Sequence, residues 1–164
     1  MISVEEAKTL VNQNIFPLNQ VEINVTYALD CYLAEDIIAP ISVPSFNQSA
    51  MDGYAFSYES IKKQIPIVEE VAAGDTRKIE LKTTEAVRIF TGSNVPNTCD
   101  TVVMQELTEV INGKLIIKDN GLKLGGNIRF KGSQIEKGSI ALEKGTKINS
   151  AAIGFLSTLG ITKV

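Results

Sequence analysis

The chain has 164 residues, 44% hydrophobic and 21% charged, which suits one globular domain or two small ones with a sizeable core. Its formal net charge is −3 and its lysines and arginines are dispersed, so composition excludes a basic footprint for nucleic acid or an anionic membrane. Apolar runs break well short of the ~20 residues of a membrane span, and Glu5 and Glu6 stand where a signal peptide is basic and apolar, so a cytoplasmic protein is expected.

Ser3 followed by Glu6 forms a capping box, and Val4, Ala7, Leu10 and Val11 line one face of the helix it opens, which ends before Pro17. Val21, Ile23 and Val25 alternate as a short strand, Thr26 to Tyr32 holds a turn or two of helix, and residues 33–38 read as a second strand stopped by Pro40 and Pro44. Short β-rich runs then recur at 65–73, 78–81, 86–91, 101–110, 115–118, 127–130 and 139–142. Gly74-Asp75, Asn112-Gly113 and Asn120-Gly121 punctuate them, and Asn112-Gly113 is a two-residue hairpin signal. Ser150 reads as the cap of a helix carrying Ile153, Phe155, Leu156 and Leu159, closed by Gly160. Residues 161–164 begin a strand-like run and stop. The pattern predicts a mainly β fold, barrel-like or of branched sheets, with a helix near each end.

Histidine is absent, which rules out His-based triads and imidazole ligands and leaves carboxylates, hydroxyls, lysines and backbone amides for chemistry. A metal would be a hard, oxygen-bound ion such as magnesium. Cys31 and Cys99 lack metal-ligand spacing and read as reduced thiols packed as small apolar groups.

Four segments can carry chemistry. In 44–55 (PSFNQSAMDGYA), Asp52 beside Gly53 sits at a tight turn where glycine lets a ligand approach the backbone, although an Asp-Gly pair alone is more often only a turn. In 88–96 (RIFTGSNVP), a strand delivers the Thr91 hydroxyl and Gly92 into a loop able to bind phosphate oxygens, without the lysine or glycine spacing of a P-loop. The run 100–106 (DTVVMQE) is a strand flanked by Asp100 and Glu106, charges that ordinarily solvate strand ends. The run 125–132 (GGNIRFKG) sets Arg129 and Lys131 near glycines, as an anion site or, more commonly, a hairpin.

Taken in order, Ala28-Leu29 with Leu33-Ala34-Glu35-Asp36, then SAMDGYA (49–55), RIFTG (88–92), DTVVMQE (100–106) and GNIR (126–129) resemble the molybdopterin molybdotransferase (MoeA) family, which includes the gephyrin E-domain. The late stretch from Ile153-Gly154-Phe155 to Leu159-Gly160 is similar as well, and the resemblance runs from about Ala28 to Val164.

That resemblance implies an enzyme of molybdenum-cofactor biosynthesis that uses magnesium to insert molybdate into adenylylated molybdopterin with release of AMP. It implies an elongated homodimer whose active site lies between a β-rich domain of one subunit and an α/β domain of the other. The expected organisation is an N-terminal helix over 1–20, a small domain from 21–44 with 132–164, and an inserted β-rich domain over 45–131. By the same resemblance, Asp52 is a catalytic carboxylate and magnesium ligand, and Thr91 a catalytic hydroxyl that donates to phosphate or molybdate oxygen. Ser49, Gly53, Gly92 and Arg129 contribute to substrate binding, with Asp100, Glu106 and Gln134 supporting. Two departures matter. Where the family has Gly-Glu-Asp after Asn-Ile-Arg, this sequence has Gly132-Ser133-Gln134, which removes a charge from a functional acid. The α/β domain and a further β domain of the family also have no counterpart in the 164 residues. The resemblance thus allows two readings: the N-terminal part of a molybdotransferase, or a dimerisation or scaffold module derived from one.

Overall fold

The structure, a computed structural model, describes residues 2–16 and 18–164. Helix α1 (Val4–Asn14) opens with the expected capping box: Glu6 N–H donates to Ser3 Oγ at 3.1 Å and Ser3 N–H to Glu6 Oε2 at 2.8 Å. It ends at Asn14, followed by an extended Ile15; Pro17, the stop read from the sequence, lies outside the described residues. Val4, Leu10 and Val11 of its apolar face are exposed. Among the described residues, no helix is long and apolar enough to cross a membrane.

The chain divides into two compact units, one running to Ile37 and resuming over Leu142–Val164, the other formed by Ile38–Ala141. The core of the first is Ala28, Leu33, Ile148 and Ala152. Helix α2 (Ser150–Thr158) is capped by Asn149 rather than Ser150: Ala152 N–H donates to Asn149 Oδ1 at 2.8 Å, which puts Ser150 inside the first turn. Gly160, at φ 75°, ends it, with Gly160 N–H bonded to Ser157 O and Ile161 N–H to Leu156 O, the paired bonds of a Schellman motif.

The strand expected over Val21–Val25 reduces to one bridge, Asn24 to Lys163, because Asn24 Oδ1 accepts from Thr26 N–H and turns the chain into a 3-10 helix at Val25–Tyr27. The strand-like tail is its partner, with Ile23 and Val164 exchanging backbone hydrogen bonds. Of the strand expected over 33–38, only β1 (Ile37–Ile38) is regular. Cys31 is exposed, contrary to the packed thiol expected, whereas Cys99 is buried.

The second unit is strand-built, as the sequence predicts. After β1 come β2 (Gln48–Ser49), β3 (Gly53–Phe56), β4 (Ile65–Val71), β5 (Ala86–Ile89), β6 (Thr101–Met104), β7 (Thr108–Ile111), β8 (Lys114–Ile117), β9 (Ile128–Arg129) and β10 (Ile140–Leu142). One sheet has the order β6-β3-β5-β4-β8-β7, while β2 pairs with β9 and β1 with β10 in two-stranded ribbons. Both faces of the large sheet are covered. Ala55, Val87, Ile89 and Val102 pack on one side, and Phe56, Ala86, Val103 and Leu115 on the other, following the alternation of strand side chains.

The β7–β8 hairpin turns at Asn112-Gly113, with φ of 50° and 74°, as the sequence signal requires. β4 and β5 are parallel, so the chain must cross over between them through residues 72–85. The strand expected over 78–81 is part of that crossover. Ile79 and Leu81 pack on the core, but β5 lies between β3 and β4, and β4 between β5 and β8, leaving neither a free edge for it to join. The single run expected over 101–110 is split at Gln105–Leu107 by a turn of 3-10 helix.

Candidate functional site

The register of β3 against β5 pairs Gly53 with Ile89, and beyond that pair both chains leave the ladder. Asp52 enters β3 and Thr91 follows β5 at this same end of the sheet. Thr91 N–H and Thr91 Oγ1 both donate to Asp52 Oδ1, each at 2.8 Å. The Thr91 N–H, then its hydroxyl, hold the Asp52 carboxyl below its ordinary pKa against a smaller opposing desolvation, and Arg88 adds a weaker pull. Both residues are exposed, and no described residue donates a hydrogen bond to the second oxygen, Oδ2.

Two residues that the sequence reading passed over complete the cluster. Gln105 N–H donates to the Asp52 carbonyl at 3.1 Å. Arg88 Nη1 donates to the Gly53 carbonyl at 2.9 Å, and its Nη2 donates to Gln105 Oε1. The guanidinium lies 5.2 Å from the Tyr54 ring centroid and 4.8 Å from that of Phe90, within cation–π range of both. The signal was in the sequence: Arg88 stands between Val87 and Ile89, both fully buried, in the middle of a core strand where a cation is uncommon. Glu106 reaches this group only through Gln105, whose Nε2 donates to Glu106 Oε1 at 3.1 Å.

The glycines and Ser49 shape the loops. A Cβ at Gly53 would stand 1.8 Å from the Val103 carbonyl oxygen, so close approach of β6 requires glycine there. Gly92 turns the chain after Thr91 at φ 84°, and its N–H donates to the Ser49 carbonyl at 2.9 Å. Ser49 is fully buried, and its hydroxyl donates to the Met51 carbonyl at 2.6 Å, closing the turn that leads into Asp52.

Asp100, Arg129 and Gln134 are not drawn to the Asp52 carboxylate. β6 pairs Met104 with Gly53 and Thr101 with Phe56, so Asp100, one residue before Thr101, lies past the opposite end of β3, roughly 13 Å along the strand direction from Gly53. There its Oδ1 accepts from Tyr58 N–H at 2.8 Å and Thr101 Oγ1 at 2.9 Å, which pins the chain leaving β3. Arg129 is exposed on β9 opposite Gln48. Gln134 is exposed, and its N–H donates to the Val43 carbonyl at 3.0 Å.

Among the described residues, no three Asp, Glu or Cys side chains gather as a metal site. The donor set for a cation is one ionised carboxylate with one uncommitted oxygen. That fits magnesium, which keeps several waters and combines one or two carboxylates with substrate oxygens, and it does not fit an ion held wholly by protein.

The family model described as MoeA N-terminal region (domain I and II) matches residues 2–160. The molybdopterin molybdenumtransferase of Haemophilus influenzae is 34% identical over 167 residues, which cover 100% of this chain and 41% of that protein. Its namesake from Staphylococcus epidermidis is 34% identical over 171 residues, covering 99% and 40%. The crystal structure of the molybdopterin biosynthesis moeA protein from Pyrococcus horikoshii OT3 matches with a TM-score of 0.86 and 31% identity, over 98% of this chain and 44% of that one. The chain thus spans about two fifths of the length of these relatives. With the family model covering nearly all of it, the chain belongs to the MoeA N-terminal region family.

Proposed function

We propose that the chain is the N-terminal part of an enzyme of molybdenum-cofactor biosynthesis, which inserts molybdate into adenylylated molybdopterin and releases AMP. In this reading it acts in the cytoplasm as part of a homodimer and supplies one wall of an active site completed by a further domain of the other subunit. The observation that carries the reading is the exposed Asp52 carboxylate, with Oδ1 held by Thr91 and Oδ2 uncommitted.

The roles of Asp52 and Thr91 follow from their bonding. Asp52 stays ionised at neutral pH because Thr91 stabilises the carboxylate form, and Oδ2 is the atom that would hold magnesium or orient an attacking oxygen. Magnesium, when bound, neutralises charge on phosphate and molybdate oxygens. The Thr91 hydroxyl has one hydrogen and gives it to Asp52, so Thr91 acts first as the group that aims the carboxylate; donating to substrate requires that bond to switch. Gly53 and Gly92 keep the two loops close, Ser49 sets the turn before Asp52, and Arg129 offers a cation to substrate phosphate. Asp100, Glu106 and Gln134 act indirectly.

A second reading, a dimerisation or scaffold module without catalysis, is favoured by Gln134, an amide where the family resemblance places an acid. Both are tested by AMP release from adenylylated molybdopterin with molybdate and magnesium, using the chain alone and the chain fused to the remaining part of the Haemophilus influenzae relative. Turnover by the fusion and none by the chain alone is expected. Turnover by the chain alone contradicts the shared-wall reading, and a folded, dimeric fusion that never turns over favours the scaffold.

A further inference from the structure

Resting on the reading just given, we propose that Arg88 is a positioning residue for Asp52: clamped between the Tyr54 and Phe90 rings, it fixes the backbone on which the carboxylate stands.

Gly53 is the first residue of β3 and is in register with both neighbours, so the Asp52–Gly53 segment lies at the limit of regular strand pairing. Two contacts take over there. Gln105 N–H holds the Asp52 carbonyl at 3.1 Å, and Arg88 Nη1 holds the Gly53 carbonyl at 2.9 Å. Arg88 Nη2 then bonds Gln105 Oε1, linking the two contacts into one brace.

The guanidinium is itself immobilised. Tyr54 is its direct cross-strand partner in the register and Phe90 follows two residues later, so both rings share its face of the sheet. Among the described residues, Arg88 has no carboxylate within ion-pair distance. A half-buried cation in a core strand, with no salt bridge, is a poor choice for stability alone, since an apolar side chain fills the same place with less desolvation. What an apolar side chain lacks is a rigid fork that reaches two separate acceptors while stacking on rings.

The test reads the Asp52–Thr91 bond without using turnover. In the whole 164-residue chain, native-state hydrogen exchange by NMR follows the Thr91 amide, which donates to Asp52 Oδ1, with the Ala55 and Val102 amides as core references. Arg88→Met is expected to speed exchange at Thr91 about tenfold or more while the references stay within about twofold. Arg88→Lys keeps the charge and the fold, and is expected to lose most of the same protection because an ammonium has no planar fork. Should Arg88→Met fail to fold, Arg88→Lys and Gln105→Ala carry the test. Unchanged exchange at Thr91, full rescue by lysine, or equal acceleration at all three amides would overturn the proposal. In the fusion described above, Arg88→Lys should lower kcat about tenfold with KM nearly unchanged. Faster Thr91 exchange with an inactive parent fusion supports the brace and counts against the molybdotransferase reading alone, so the two failures are distinguishable.

Discussion

Asp52 Oδ1 accepts two hydrogen bonds from one residue, Thr91, through its N–H and its hydroxyl, each at 2.8 Å and across 39 residues of sequence. A carboxylate held this way has little freedom to turn, and its second oxygen faces no competing donor among the described residues. Asp52→Asn keeps the shape and removes the charge. In the active fusion it should reduce AMP release by at least about a hundredfold, with the thermal midpoint changed by no more than a few degrees. Near wild-type turnover would reduce Asp52 to a turn residue.

The same pair sets a pH dependence. The folded Asp52 carboxyl lies below its ordinary pKa, chiefly because of the Thr91 N–H and then the hydroxyl. Its contribution to stability is therefore complete above the unfolded value, roughly pH 4, and is lost as pH falls through the folded value. Thr91→Val keeps the N–H and removes the hydroxyl, so the Asp52 pKa should rise toward the ordinary value. A carbon-13 NMR titration of the Asp52 carboxyl measures this, and an unchanged midpoint would show the hydroxyl bond to be weak in solution. The stability difference between Thr91→Val and wild type should also shrink as the solution is acidified below pH ~4.

Local chemistry made part of this fold legible. The Ser3–Glu6 box and the Asn112-Gly113 turn formed as read, because each depends on neighbours in sequence. The crossover between β4 and β5 was not legible: Ile79 and Leu81 alternate like a strand, and only the sheet order reveals that β4 and β5, the strands they connect, are both flanked already. The Asp52–Thr91 bond joins two loops through strand register, so sequence offered the two motifs and the family resemblance but not the contact. Asp100 shows the converse. Its motif matches the family as well, with a supporting role expected, and its carboxylate is spent on Tyr58 and Thr101 at the far end of β3. Arg88 showed in the sequence only as a cation inside an apolar strand, because its partners are tertiary: two rings and two acceptors on β3, just past β5 and in the 3-10 turn.

Gly53 should tolerate no side chain. Alanine would place its Cβ 1.8 Å from the Val103 carbonyl, a backbone atom held in the sheet between two cores. Relief needs β3 and β6 to separate, so Gly53→Ala should cost roughly 3 kcal/mol or more, read as a lower urea midpoint. A loss under about 1 kcal/mol would mean that β6 shifts freely at this end.

Ser93 predicts the opposite sign. Its hydroxyl is fully buried and has no hydrogen-bond partner among the described residues, although its backbone is engaged on both sides, by the Phe90 carbonyl and by Ser49 N–H. Ser93→Ala removes an unsatisfied oxygen and leaves those backbone bonds. Stabilisation of about 1 kcal/mol is expected from equilibrium urea unfolding, since an unmet buried polar group costs about 1–3 kcal/mol. A loss of that size would reveal a partner for the hydroxyl.

The two thiols should differ sharply in reactivity. Burial pushes the Cys99 thiol up to about 12, against a smaller opposing hydrogen bond from Thr98 and with a still smaller push from the Asp100 charge. Thiolate is the reactive form, so at pH 8 iodoacetamide should label the exposed Cys31 and spare Cys99 until denaturant is added. Mass spectrometry counts the adducts. Equal labelling of both under native conditions would mean that the core around Val95 and Val102 opens readily.

Gln134 separates the two functional readings. Its side chain is exposed and its fold contribution is a backbone bond to Val43, so a carboxylate can replace it without burying charge or breaking the turn. If the chain serves catalysis and an acid at this position helps hold a hard cation, restoring the charge adds Coulomb attraction that glutamine cannot supply. Gln134→Asp in the active fusion should then lower the magnesium concentration for half-maximal AMP release several-fold, most clearly at low ionic strength where an exposed charge is least screened. A module that has abandoned catalysis would not respond, because restoring one charge does not restore the rest of a site. The measurement is a magnesium titration of AMP release for parent and variant side by side. An unchanged or poorer magnesium response in an active parent would show that another group holds the cation and that Gln134 has no part in it.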